Sequence, residues 1–131
     1  MKIEKMENQE IAMYIFVNYD LKMGIGKIAG QVGHITQKLI EDILLNHKHS
    51  KNEESKKIYE DYRKWKKDYH CAKIILKATQ EDIEEYSKLP NTFCVYDAGK
   101  TQIEANSLTV VGFYPSSKKE MHSYTHKFKL L

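Results

Sequence analysis

The sequence predicts an α/β layered domain built on a mixed sheet. Three observations carry that prediction. Ile11 to Val17 is a continuous apolar run of strand length, as in a strand buried on both faces. After two glycines, apolar residues recur at 28, 32, 35, 39 and 43, a helical period. Further strand-like runs at 72–78, 92–96 and 108–114 alternate with helical segments. The connection over 97–107 is too short for a crossover helix, so 92–96 and 108–114 are expected to pair antiparallel.

Each element has a local reason. Residues 1–10 are polar and charged and are expected to form a flexible segment, leaving 11–131 as a single domain. Gly24 and Gly26 separate the first strand from a helix expected over Lys27 to about Leu45. Asn46 to Asn52 reads as a polar loop. A second helix is expected from about Glu53 to Lys67, with Ile58, Tyr62 and Trp65 as its apolar side. Thr79 stands three residues before Asp82, the spacing of a capping box that opens a short helix, and Pro90 closes that region. Ser117 and Glu120 repeat the spacing at the start of a last helix, after Pro115.

Bulk properties narrow the function classes. At 131 residues the chain buries enough surface for a core without staples. No apolar run approaches about 18 residues, so no transmembrane helix is expected, and the charged first ten residues do not read as a secretory signal. Cys71 and Cys94 lie in strand-like runs without CxxC spacing, which predicts buried free thiols in a reducing compartment. The net charge is only +3, yet lysines crowd 56–67 and 118–129, as either solvated helix faces or a phosphate-backbone footprint.

The richest segment is Asp20-Leu-Lys-Met-Gly-Ile-Gly-Lys-Ile-Ala-Gly-Gln-Val-Gly-His34. At 100° per residue, Lys27, Gln31, His34 and Lys38 fall within about 60° of each other, on the side of the helix away from its apolar stripe. The glycines follow GxGxxxG rather than the dinucleotide GxGxxG, and no acidic residue ends a second strand. Ile28 stands where a nucleotide-triphosphate loop needs Ser or Thr. Both nucleotide readings are excluded. What survives is a glycine turn feeding a helix start, a place that favours anions. A lysine in that first turn opposes the helix dipole at a cost of roughly 0.3–1 kcal/mol, and such a locally unfavourable choice points to function. His122 and His126 have chelating i, i+4 spacing but no third ligand nearby, so they read as a surface pair. The nine tyrosines and Trp65 sit mostly at packing positions. Asp97-Ala-Gly-Lys-Thr-Gln102 follows a strand; it reads as a turn former or as a ligand site at a strand's carboxyl end. If the first and third strands run parallel, this segment and the glycine turn share one sheet edge.

Taken together, Asp20–His34, Lys73–Ala78, Asp97–Ile103 and the closing Lys129-Leu-Leu131 resemble the type 2 peptidyl-tRNA hydrolases, the archaeal and eukaryotic kind, in the family's order. The resemblance implies a single three-layer α/β domain, a four-stranded mixed sheet with helices on both faces, and a homodimer. It implies hydrolysis of the ester joining a peptide to tRNA, with peptidyl-tRNA as the partner; many eukaryotic members carry a membrane anchor, whereas this sequence is expected to be cytoplasmic, with no membrane attachment, cofactor or metal. By the family's motifs, Lys27, His34, Asp97 and Thr101 are the catalytic candidates, and Gly24, Gly26, Gln31, Lys100 and Gln102 the substrate contacts. The chain departs from the family at Ile25 (often lysine), Gly30 and Gly33 (usually alanine) and Lys100 (commonly arginine). These departures support a competing reading, a non-catalytic RNA- or protein-binding module on the same fold; the presence of both Asp97 and Thr101 opposes it. No serine or cysteine accompanies the motifs, so attack by water is expected. Asp97 would orient or deprotonate that water, helped by Thr101, and Lys27 would stabilise the oxyanion or a terminal phosphate. His34 would either shuttle a proton or bind the tRNA end.

Overall fold

The computed structural model of the protein describes residues 8–99, 104 and 106–131. Strand β1 (Ile11–Asn18) is buried along its whole length. Its side chains alternate between two cores: Ile11, Met13, Ile15 and Val17 enter one, and Ala12, Tyr14 and Phe16 the other. That double burial is why the run contains no exposed polar alternation.

Strand β2 (Lys73–Ala78) pairs parallel with β1, while β4 (Leu108–Phe113) pairs antiparallel on the other side. Strand β3 (Thr92–Tyr96) pairs antiparallel with β4, giving the order β2-β1-β4-β3. The expected β3–β4 pairing is therefore present. Because β1 and β3 both run opposite to β4, their carboxyl ends meet at one sheet edge. A two-residue strand β5 (Ser116–Ser117), not foreseen, pairs with the start of β1. Strand β2 is an edge strand and only partly buried, unlike the fully buried strand expected there. Its outer side carries only the chain's last residues: the Lys77 N–H donates to the Lys129 carbonyl at 2.9 Å, and the Leu131 N–H to the Ile75 carbonyl at 2.9 Å.

Helices α1 (Ile25–His49) and α2 (Glu53–Asp68) cover the first core, through Ile35, Leu39 and Ile43 and through Tyr62 and Trp65. Helices α3 (Gln80–Ser87) and α4 (Lys118–Thr125) cover the second, through Ile83, Tyr86 and Met121. The caps are as read: the Thr79 hydroxyl accepts from the Asp82 N–H, and Ser117 from the Glu120 N–H. Helix α1 runs four residues past Leu45, into the expected loop. The Asn46 amide donates to Asp42 at 2.9 Å, and the His47 ring stacks on Tyr59 of α2, so tertiary contact extends it. Basic His47, Lys48 and His49 also suit the helix's carboxyl end.

Helix α1 presses hard on β4. A Cβ on Gly112 would lie 2.8 Å from Cγ1 of Ile35 and 2.9 Å from Cδ1 of Leu39. The cysteines are less enclosed than expected. Both are free and half-buried, and Cys71 lies in the turn before β2 with φ 56°, not in a strand. The His122 and His126 rings stack at 5.1 Å on exposed α4.

Candidate active site

The site grows from the shared edge where β1 and β3 end. Asn18, the last residue of β1, is 1% exposed and ties three elements together. Its amide donates to Gln80 Oε1 at 2.5 Å and to the Leu108 carbonyl at 2.9 Å, and its carbonyl oxygen accepts the Asp20 N–H at 3.1 Å. The chain then makes a 3-10 turn, Tyr19–Leu21, and passes through Lys22 at φ 51°. Gly24 caps α1 without a side-chain bond, and no acidic residue stands in the first turn. Among the described residues no side chain caps the N–H groups of that turn.

Lys27 projects from this turn to the Asp97 carboxylate, with which it forms an ion pair. The two side chains are 14% and 1% exposed. Asp97 also accepts the Gly99 N–H at 2.7 Å, and its backbone is pinned to Ser107 and Asn106 across the loop. A charge pair this deeply enclosed costs several kcal/mol to desolvate, so keeping it is costly unless it has a task. The two motifs separated by 70 positions do meet.

One turn further along α1, Gln31 is 4% exposed. Its amide donates to the Thr109 hydroxyl at 2.9 Å, and Thr109 donates to the Val95 carbonyl at 2.9 Å. Thr109 can do this because β3 and β4 slip by one residue: Val95 pairs with Val110, and Tyr96 with Leu108. The extra residue is Thr109, and the bulge aims it at α1. Lys38 then donates to the Cys94 carbonyl at 2.6 Å on the open side of β3. Within the polar stripe, Lys27, Gln31 and Lys38 thus reach partners at β3, β4 and the loop after β3, while His34 stays exposed. These three contacts dock the amino-terminal half of α1 onto the β3–β4 side of the sheet.

His34 is exposed and has no hydrogen bond or ion pair among the described residues. It lies about 10 Å along the helix axis from Lys27. Gly26, Gly30 and Gly33 share one helix face, and a Cβ at any of them would meet no atom within 4 Å. Burial pushes the Cys94 thiol up, and the nearby Lys38 ammonium opposes this only in part. That thiol stays protonated at neutral pH and is a poor nucleophile. Lys100, Thr101 and Gln102 lie outside the described residues. Among the described residues no group of three or more His, Cys, Asp or Glu side chains is placed to hold a metal ion. Asn18 and Thr109 carried no sequence signal as site residues: one looked like a strand end, the other like an ordinary β-branched strand position.

Known proteins match the sequence along most of the chain. Residues 11–131 match the family described as Peptidyl-tRNA hydrolase PTH2. The peptidyl-tRNA hydrolase of Sulfolobus acidocaldarius is 36% identical over 126 residues, covering 91% of this chain and 98% of that protein. That of Sulfurisphaera tokodaii is 35% identical over 127 residues, with 91% and 97% covered. That of Saccharolobus solfataricus is 33% identical over 129 residues, with 92% and 99% covered.

Proposed function

This chain belongs to the peptidyl-tRNA hydrolase PTH2 family and hydrolyses the ester bond between a peptide and tRNA; we propose that Lys27 and Asp97, with the amino-terminal turn of α1, carry that reaction. The observation behind the proposal is a buried carboxylate paired with a lysine at an uncapped helix start. Asp97 orients a water and takes its proton as the water oxygen bonds to the ester carbonyl carbon. The carbonyl oxygen gains charge and is met by the Lys27 ammonium and the free N–H groups of the turn. Collapse expels the ribose oxygen, which recovers the proton, leaving a peptide carboxylate and a tRNA hydroxyl. The protonated Cys94 thiol is in keeping with direct attack by water.

Gln31 and Thr109 position the strand end that delivers Asp97. The exposure of His34 and its distance along the helix favour contact with tRNA over proton transfer. Thr101 assists Asp97, and Gly24, Gly26, Lys100 and Gln102 contact substrate, as the family's motifs imply. The protein acts in the cytoplasm as a homodimer that binds RNA. Two half-buried free thiols suit a reducing compartment, and no helix among the described residues is long and apolar enough to cross a membrane. The test is hydrolysis of an N-blocked aminoacyl-tRNA by the purified chain. Asp97→Asn is expected to lower kcat by at least about 10²-fold while the fold persists; wild-type turnover would sink the assignment of Asp97.

A further inference from the structure

A cleft around Tyr19 takes no part in the chemistry above. Tyr19 is 52% exposed in the turn that follows β1, and it walls two grooves. One, of about 580 Å³, is apolar and lined by Met23, Ile25, Ile28, Val32 and Leu131. Ile25 is 89% exposed and stands in the first turn of α1, the turn that also carries Lys27. The other groove, of about 340 Å³, carries Lys77, Lys127 and Lys129. Tyr19 and Lys77 line both, so the two grooves adjoin at this pair.

The second groove carries three lysines against two carboxylates. Its carboxylates are engaged: Asp20 accepts the Gln80 N–H at 2.7 Å, and Asp82 lies 3.7 Å from the Lys127 ammonium. Lys77 and Lys129 have no carboxylate partner among the described residues, and the Lys77 ammonium sits 4.8 Å from the centre of the Tyr19 ring. A half-exposed aromatic ring with a cation on one face, between a basic groove and an apolar slot, is the combination that holds unpaired nucleotides: phosphates follow the lysines and a base stacks on the ring's other face.

We propose that this cleft binds the single-stranded 3′-terminal nucleotides of the RNA substrate, with a base against Tyr19 in the slot beside Ile25 and phosphates over Lys77 and Lys129. The inference rests on the peptidyl-tRNA reading and adds where the tRNA end lies. A base fits better than an aliphatic peptide side chain, because the slot's wall is an aromatic ring that a lysine shares with the basic groove.

The test uses the whole chain and a fluorescein-labelled RNA hairpin with an unpaired 3′ tail ending in adenosine, read by anisotropy. Tyr19→Ala is expected to weaken binding by about tenfold or more, and Tyr19→Phe by less than about twofold. Ile25→Glu, at an exposed site that leaves the fold alone, is expected to weaken it as well. Removing the tail should cost the wild type a similar factor and cost Tyr19→Ala little more. Lys129→Ala should flatten the log–log salt dependence by about 0.7. Equal binding of tailed and blunt hairpins by the wild type would overturn the proposal. So would a Tyr19→Ala loss that is the same for both hairpins, or unchanged affinity of Tyr19→Ala for the tailed hairpin. No ester is cleaved in this measurement, so a failure of Asp97→Asn to impair turnover would count against the catalytic assignment alone.

Discussion

The two halves of helix α1 are built on opposite terms. Residues 35–49 have Ile35, Leu39 and Ile43 at 0–1% exposure, and end in basic residues that suit the dipole. Residues 25–34 have no side-chain cap, a lysine in the wrong turn for the dipole, three glycines and a buried glutamine. The first half would be a poor helix by itself, since each interior glycine costs about 1 kcal/mol against alanine. It persists because the second half is clamped on β4 at Gly112 and because polar bonds tie Gln31 and Lys27 to β3 and β4. Stability is concentrated in one half, and chemistry is placed on the other, held rigid by its neighbour.

The sharpest way to break this contrast is at Lys27. Lys27→Ala is expected to lower kcat on N-blocked aminoacyl-tRNA by roughly 10²- to 10⁴-fold. Combined with Asp97→Asn, the loss should be little worse than either alone, because the two act as a unit. Multiplied losses in the double variant would mean that the pair is two independent devices. Urea titration of each variant separates this from unfolding, since an orphaned buried charge also weakens the fold.

In the other half the effect should move to stability. Leu39→Ala is expected to lower unfolding free energy by about 3 kcal/mol, with kcat within about twofold at temperatures where the protein stays folded. Gly112→Ala should cost about 1–3 kcal/mol, because the new methyl runs into Ile35 and Leu39. A large fall in kcat without a change in unfolding midpoint, for either variant, would show that the second half reaches the chemistry directly.

This division of labour also separates what sequence could reveal from what it could not. The buried run of β1, the caps at Thr79 and Ser117 and the antiparallel β3–β4 pair are local or short-range features, so residue type and spacing sufficed. The approach of Lys27 to Asp97 followed from strand direction, once β1 and β3 were taken as parallel. Thr109 was out of reach because its role depends on a one-residue slip between two strands, which no periodicity records. Asn18 was out of reach because two of its partners lie 62 and 90 positions away. The burial of Gln31 within the polar stripe was out of reach because its partner, Thr109, lies 78 positions away. Helix α1 was read short because its last turn depends on the Tyr59 ring of another helix.

The mildest prediction tests whether the weak half of α1 is weak for a reason. At Gly30 and Gly33 no atom lies within 4 Å of a new Cβ, and both residues have helical backbone. Neither packing nor conformation requires glycine there. Gly30→Ala and Gly33→Ala are each expected to raise unfolding free energy by about 0.5–1 kcal/mol in urea titration, through helix propensity alone. Neither residue is among the proposed substrate contacts, so kcat and KM should stay within about twofold. A gain in stability coupled to a several-fold rise in KM would give the glycines a second meaning: the RNA would then lie against bare backbone on that face, and the instability of residues 25–34 would serve binding as well as chemistry.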